Sequence, residues 1–264
     1  MKLSSLGYLA LGASFLGLGG HESAAQSVNY HLVKTVPLPQ APGNIEYFDY
    51  LTVDADARRV YISHGTEVDV VNADNFSLVG RIGGLQRCHG IAVIKELGKG
   101  YITDGDGQKV VIFDLNTLRV TGEVKTQPDT DSIIYDPASK YLFTINGNSK
   151  TATAIDPVKE VVVKNIDLGG GAEQPAVDGQ GMLYSNNQEK HDIVAIDTRA
   201  LTIKARWPVA PSGTPVAMGM DQKNRRLFSA GRGPLTLVMK GESLPTGTAW
   251  HGCPAAPVSA LISV

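Results

Sequence analysis

One motif recurs at a nearly constant interval along most of this sequence. An apolar strand ends in Asp, a polar turn follows, and a second strand ends in Ser or Thr, as in residues 51–54 with 60–63 and residues 133–136 with 141–144. The second-strand ends fall at intervals of 40, 41, 41 and 44 residues, at Ser63, Thr103, Thr144, Ser185 and Ser229. So regular a period indicates an array of similar structural units.

Each unit continues with two further apolar segments. The third segments end at 42-, 42- and 41-residue intervals, at Asn72, Asp114, Asp156 and Asp197. Fourth segments follow, for example residues 78–82 and 120–124. Runs of β-branched and aromatic residues bounded by Gly, Asp, Asn and Pro are typical of strands. Each unit is therefore predicted to be a four-stranded antiparallel meander.

Packing of the units determines the predicted fold. A lone four-stranded sheet cannot bury both of its apolar faces in water, whereas sheets arranged around an axis bury them against each other. About 40–45 residues per unit is the usual period of a β-propeller blade. Helical solenoids of similar period are excluded because 3.6-residue periodicity is absent, and a β-sandwich would not explain the recurrence. The sequence predicts an all-β propeller.

Several strings are more specific than generic propeller patterning. They are DYLTVD at 49–54, RRVYISHGTEV at 58–68, HGIA at 89–92, YDP at 135–137, VAID at 194–197 and RRLF at 225–228. On these strings, residues 29–239 resemble the exported YVTN or YncE-like seven-bladed β-propellers of the WD40/YVTN repeat-like superfamily. The resemblance implies a propeller and an exported location, but it does not imply one reaction.

The N-terminal segment reads as a secretory signal. Lys2 precedes a mostly apolar run of about 13 residues, shorter than the roughly 20 that a spanning helix needs. Small residues follow at Ser23, Ala24 and Ala25, as signal peptidase requires. Residues 1–25 are predicted to be a signal peptide, and the mature chain is expected to be periplasmic or secreted. No later segment is long and apolar enough to span a membrane.

The C-terminal segment departs from the repeat. The propeller domain is predicted to cover residues 26–239, and residues 240–264, rich in Gly and Pro, are expected to form an irregular tail. Seven blades of about 42 residues need about 294 residues, whereas residues 26–264 supply 239. Only about five blades are expected, and residues 30–36 are expected to form the outermost strand of a blade. A truncated or frame-shifted member of the family is one explanation; closure of five blades into a smaller ring is the other.

Candidate functional residues lie in loops that open on one propeller face. Counting back five residues from the aspartates that end the innermost strands gives Asp49, Asp131 and Glu173, and the second repeat has His89 there. This set suits a divalent cation, since carboxylates favour calcium or magnesium and imidazole admits zinc or manganese. The loops between second and third strands add His64, Asp104, Asn146 and Asn187. The same residue types also hold turn backbones, and the strand-ending aspartates are expected to do only that.

Two functions follow as alternatives. The first is a non-catalytic exported propeller that binds a small molecule, a peptide or an envelope protein on the channel face. The second is a metal-dependent lactonase or lyase, with Asp49, Glu173 and His89 as ligands and Asp131 or His64 as general base. Nucleic acid is not expected as a partner, because 24 Lys and Arg against 26 Asp and Glu give no broad basic field.

Overall fold

The computed structural model describes residues 31–43, 47–210, 213–232, 235–240 and 248–251. The chain divides into a unit of residues 1–35 and a unit of residues 36–264. The sequence predicts a strand over residues 30–36, yet residues 31–36 form none. Leu32 and Val33 remain largely exposed, so no apolar face is buried that would favour a strand there. None of the helices among the described residues has the length and apolarity to cross a membrane.

The described residues of the second unit form five four-stranded antiparallel sheets, as predicted. The first consists of β1 (Phe48–Asp54), β2 (Arg59–His64), β3 (Glu67–Asn72) and β4 (Leu78–Ile82). The second consists of β5 (Cys88–Ile94), β6 (Lys99–Asp104), β7 (Lys109–Asp114) and β8 (Val120–Lys125), with a 3-10 helix at Lys95–Leu97. The third consists of β9 (Thr130–Asp136), β10 (Tyr141–Asn146), β11 (Thr151–Asp156) and β12 (Val161–Asp167).

The last two sheets follow the same order. The fourth consists of β13 (Ala172–Val177), β14 (Met182–Asn187), β15 (Asp192–Asp197) and β16 (Thr202–Pro208). The fifth consists of β17 (Pro215–Asp221), β18 (Arg226–Gly231), β19 (Leu235–Lys240) and β20 (Thr248–His251). β20 lies within the segment predicted to be irregular and pairs with β19. The rest of residues 241–264, and the predicted signal peptide, lie outside the described residues.

The first strands of consecutive sheets contact one another in the order β1, β5, β9, β13, β17. They are therefore the innermost strands, and the apolar cores lie between neighbouring sheets. One aromatic residue of each second strand fills the interface with the following blade, namely Tyr61, Tyr101, Phe143 and Tyr184. Burial of such rings between sheets is what makes the array stable.

The Ser and Thr residues that recur in the sequence repeat do not occupy equivalent positions in the paired strands. Arg59 lies opposite Asp54 and Tyr141 lies opposite Asp136. Counted from those pairs, Ser63 is the fifth residue of its strand and Thr144 is the fourth. Successive strand residues point to opposite faces, so the two hydroxyls lie on opposite faces of their blades.

The aspartates that end the innermost strands hold turns, as expected. Asp54 Oδ1 accepts a hydrogen bond from the backbone N–H of Ala57 at 3.1 Å. Asp136 Oδ2 accepts one from Ser139 at 3.0 Å. These aspartates therefore have a structural role, because they accept hydrogen bonds from backbone N–H groups in tight turns.

Candidate functional site

The innermost strand of every blade begins with a β-bulge. In the first blade Phe48 lies opposite His64, but the next paired residue is Leu51, opposite Ile62. Equivalent register shifts occur in the other four innermost strands. The residue that opens the bulge is five positions before Asp54, Ile94, Asp136, Asp178 or Asp221 in the respective blades. These bulge residues are Asp49, His89, Asp131, Glu173 and Val216. A bulge re-aims the side chain that it carries.

Hydroxyl side chains of the second strands hold these bulges in place. Ser63 Oγ accepts from the N–H of Asp49 and donates to the carbonyl of Tyr50, both at 3.0 Å. Thr103 Oγ1 accepts from Gly90 at 2.7 Å and donates to the carbonyl of Asp131 in the next blade. These hydrogen bonds satisfy the backbone groups that the bulge removes from the ladder.

Three of the predicted ligands converge. His89 Nδ1 lies 2.6 Å from Asp49 Oδ2 and 3.3 Å from Asp131 Oδ1. One ligand atom from each residue lies within 4.8 Å of the other two. His89 is buried and the two carboxylates are partly exposed. Three consecutive blades thus contribute one ligand each to the trio of Asp49, His89 and Asp131.

Glu173 lines the same cavity without joining the trio. The cavity has a volume of about 530 Å³ and also exposes Asp129, Arg87 and Arg232. Glu173 Oε1 accepts a hydrogen bond from Gln188 Nε2. The predicted four-residue set is therefore a trio with a fourth carboxylate at the side of the cavity.

A second set of cavity residues was missed from the sequence. Tyr47, Arg87 and Asp129 each lie two positions before a trio residue and all line the cavity. Tyr47 Oη donates to Asp49 Oδ2 at 2.9 Å, and the Arg87 guanidinium lies 5.2 Å from the centre of the Tyr47 ring. The sequence repeat could have identified these three residues too, because each lies at the same distance before its trio residue.

The cavity shifts the pKa values of its acids. Burial, with help from the charges of Asp49, Glu173 and Asp129, raises the pKa of Asp131 to about 7, although His89 opposes the shift. Burial also raises the pKa of Glu173. For His89, burial alone would lower the pKa, but the hydrogen bond to the Asp49 carboxylate and the charges of Asp131 and Asp49 outweigh it and raise the pKa. Such shifts are common at binding and catalytic sites.

The other four predicted site residues occupy a different position. None of His64, Asp104, Asn146 and Asn187 is among the described residues that line this cavity. All four are the last residues of second strands and are buried. Their side chains bond inside the fold instead, which corrects their predicted placement at the channel mouth.

Each of these four residues has a structural partner. His64 Nδ1 lies 2.8 Å from Asp69 Oδ2, and Asn146 Nδ2 donates to Thr153 Oγ1 at 2.9 Å. Asp104 Oδ1 accepts from the backbone N–H groups of Gln86 and Arg87 at 3.0 and 2.9 Å. Asn187 Nδ2 donates to the carbonyl of Leu168 at 3.0 Å. Buried polar side chains require such partners.

Comparison with proteins of known structure identifies the fold. No family model matches this sequence. No curated protein matches it either. The β-propeller domain of Cps50 (Swd1) from Myceliophteria thermophila is similar, with a TM-score of 0.65 and 12% identity over 76% of this chain and 67% of that one. Hydrazine synthase from Kuenenia stuttgartiensis has a TM-score of 0.52 and 15% identity over 80% of both chains. At such identities the likeness concerns the fold alone, and the chain is a β-propeller.

Proposed function

We propose that this protein is an exported binding protein that captures a small cationic ligand at the channel mouth, a divalent metal cation being the simplest such ligand. The observation that carries the proposal is the convergence of Asp49, His89 and Asp131 from three blades on one cavity. These residues are far apart in sequence, so a shared fold position brings them together. Fold alone does not specify function, but the geometry of a site supports one.

The charge of the cavity favours a cation. Four carboxylates line it, those of Asp49, Asp129, Asp131 and Glu173, against the two guanidinium groups of Arg87 and Arg232. Burial is the main cause of the raised pKa of Asp131, and repulsion from the neighbouring carboxylates adds to it. A positive ligand would offset that repulsion.

The ligand atoms that the trio offers favour some divalent cations over others. One imidazole nitrogen with two carboxylate oxygens suits manganese or zinc better than calcium, which prefers oxygen ligands alone. His89 Nδ1 and Asp49 Oδ2 lie within hydrogen-bond distance at 2.6 Å, and a cation bound by both atoms would take the place of the proton between them. A cavity of about 530 Å³ is far larger than one ion, so the remaining space suits a small organic ligand that completes the coordination.

A metal-dependent lactonase or lyase is the second candidate, and one observation favours it. Asp131 Oδ1 lies 3.3 Å from His89 Nδ1, and the residue lines the open cavity, where its carboxylate could accept a proton from a bound substrate. His64, the other base considered from sequence, is buried in the first blade beside Asp69 and is less suited. Turnover of a panel of lactones by the cation-loaded protein, lost in Asp131→Asn, would select this candidate.

Calorimetric titration of the metal-free protein with Mn²⁺, Zn²⁺ and Ca²⁺ tests the proposal. We expect one site, with affinity reduced at least about tenfold in Asp49→Asn, His89→Gln and Asp131→Asn. Asp106→Asn is the matched control, since Asp106 is exposed and does not line the cavity. Binding that is equal in all four variants, or no binding of any of these cations, would contradict the proposal.

The exported location has its own test. We propose that residues 1–25 direct the chain to the periplasm or the medium, where a small molecule, a peptide or an envelope protein would be its partner. N-terminal sequencing of the protein recovered from that compartment should begin at Gln26. Recovery of uncleaved chain from the cytoplasm would rule this out.

A further inference from the structure

The first blade exposes a face that the internal blades bury. Leu51 is 36% exposed, whereas its equivalents Ile91 and Ile133 are 4% and 9% exposed because the preceding blade covers them. Val60 and Ile62 on the same face are half-buried, whereas Ile102, the equivalent of Ile62, is fully buried. No preceding blade lies on Leu51 among the described strands.

The fifth blade exposes the other face of its sheet, which the following blade covers in the first four blades. Phe228 occupies the position of Tyr61, Tyr101, Phe143 and Tyr184, all of which the following blade buries. Those four side chains are at most 8% exposed, whereas Phe228 is 37% exposed. Within the chain, each of the four interfaces between neighbouring blades joins one face of each kind. In the described part of the chain, the first blade exposes the face that a preceding blade would cover, and the fifth blade exposes the face that a following blade would cover.

Charge at the edge of the two faces is also complementary. Between the fourth and fifth blades, Arg225 Nη2 lies 3.9 Å from Asp178 Oδ2. Arg58 occupies the position of Arg225, with nearly the same left-handed φ of 54° against 53°. Asp221 occupies the position of Asp178, since both aspartates stand where an innermost strand of the repeat ends. The open faces therefore carry Arg58 on one side and Asp221 on the other. Arg58 pairs with Asp74 of its own blade at 2.6 Å, so the second copy would bring a second carboxylate to this guanidinium.

We propose that a second copy of this chain covers these faces, head to tail. Phe228 of one copy packs on Leu51 of the next, and Asp221 of the first faces Arg58 of the second. The geometry repeats that of neighbouring blades within the chain, which explains why both faces are apolar and remain open. The contact is heterologous, so each copy keeps one free face unless the assembly closes into a ring.

Mixing experiments test this directly by light scattering after size exclusion. The wild-type chain should form dimers and larger species as concentration rises, and Leu51→Lys and Phe228→Lys should each weaken association at least about tenfold. An equimolar mixture of the two variants retains one intact pair of faces, so it should form a dimer that does not grow. A monomeric wild type, or a mixture that stays monomeric, would overturn the proposal.

A charge swap keeps the test independent of core packing. Arg58→Glu and Asp221→Arg change half-buried residues at two turns. Because Arg58 also pairs with Asp74 and Asp221 accepts hydrogen bonds from Asn224, urea unfolding first checks that each variant folds. Each variant should weaken association, and the double variant should restore it. Val163→Lys is the control, since Val163 is 43% exposed on the outermost strand β12 and its substitution should leave association unchanged. Loss of association in the control, or none in Arg58→Glu and Asp221→Arg, would contradict the proposed faces.

Discussion

His89 Nδ1 lies 2.6 Å from Asp49 Oδ2, although the two residues are 40 positions apart and belong to neighbouring blades. Asp131 Oδ1 of the third blade lies 3.3 Å from the same nitrogen. The trio therefore forms only when three blades are assembled in order. Any measurement that reports on the trio also reports on the propeller itself.

Stability should depend on pH through Asp131. Its folded-state pKa of about 7 exceeds the ordinary value of 3.8, so between these values the folded protein holds a proton that the unfolded chain has lost. The stability due to this proton is complete below about pH 4 and is lost as pH rises through about 7. We expect the free energy of unfolding to fall between pH 5 and 8, by at most about 1.4 kcal/mol per pH unit.

Asp131→Asn supplies the comparison for that pH profile. The amide cannot ionise, so the variant should show a flatter dependence in urea unfolding from pH 5 to 8. At pH 8 it should be more stable than the wild type. Parallel profiles for the two proteins would show that Asp131 is not the responsible group.

Gly100 should not tolerate a methyl group. A Cβ there would overlap the ring of Phe113, which is fully buried between the first two blades. We expect Gly100→Ala to lower the free energy of unfolding by about 1–3 kcal/mol. Gly83→Ala is the control because no heavy atom lies within 4 Å of its Cβ position. Equal stability of the two variants in urea unfolding would contradict the packing described.

Asp104 should support the site without lining it. Its carboxylate accepts hydrogen bonds from the backbone of Gln86 and Arg87, three and two positions before His89. Asp104→Ala should cost about 1–3 kcal/mol of stability and weaken Mn²⁺ binding, whereas Asp104→Asn keeps an acceptor oxygen and should lose less of both. Chemical unfolding and calorimetry measure the two effects. If both variants bound Mn²⁺ like the wild type, the loop would not depend on Asp104.

Cys88 should be inert in the folded protein. The thiol is buried and donates to the carbonyl of Glu67 at 3.1 Å, and burial raises its pKa to about 11. Only the thiolate reacts, so in a Cys253→Ser background labelling by a disulfide reagent at pH 8 should be at least about 100-fold slower than in denaturant. Similar rates in both conditions would place Cys88 at the surface.

The sequence predicts the blades well because period and strand chemistry are local properties. It also predicts Asp49, His89 and Asp131, because a fixed distance from the end of an innermost strand is a fixed position in the fold. The sequence does not predict where the side chains of residues such as Asp104 and Asn146 lie. A side chain at a strand end faces the loop or the interior depending on the strand register. The offset between Ser63 and Thr144 has the same origin, and it appears only once strands are paired.

The YVTN or YncE-like resemblance remains an interpretation of short strings such as residues 49–54. Structural similarity at 12% and 15% identity supports the β-propeller and nothing narrower.

The most direct test of the trio is a crystal structure of the protein soaked in Mn²⁺, examined by anomalous scattering. We expect one strong peak bonded by Nδ1 of His89 and by carboxylate oxygens of Asp49 and Asp131, at about 2.0–2.3 Å from each atom. A peak elsewhere, or an intact His89–Asp49 hydrogen bond with no peak in the cavity, would contradict the account.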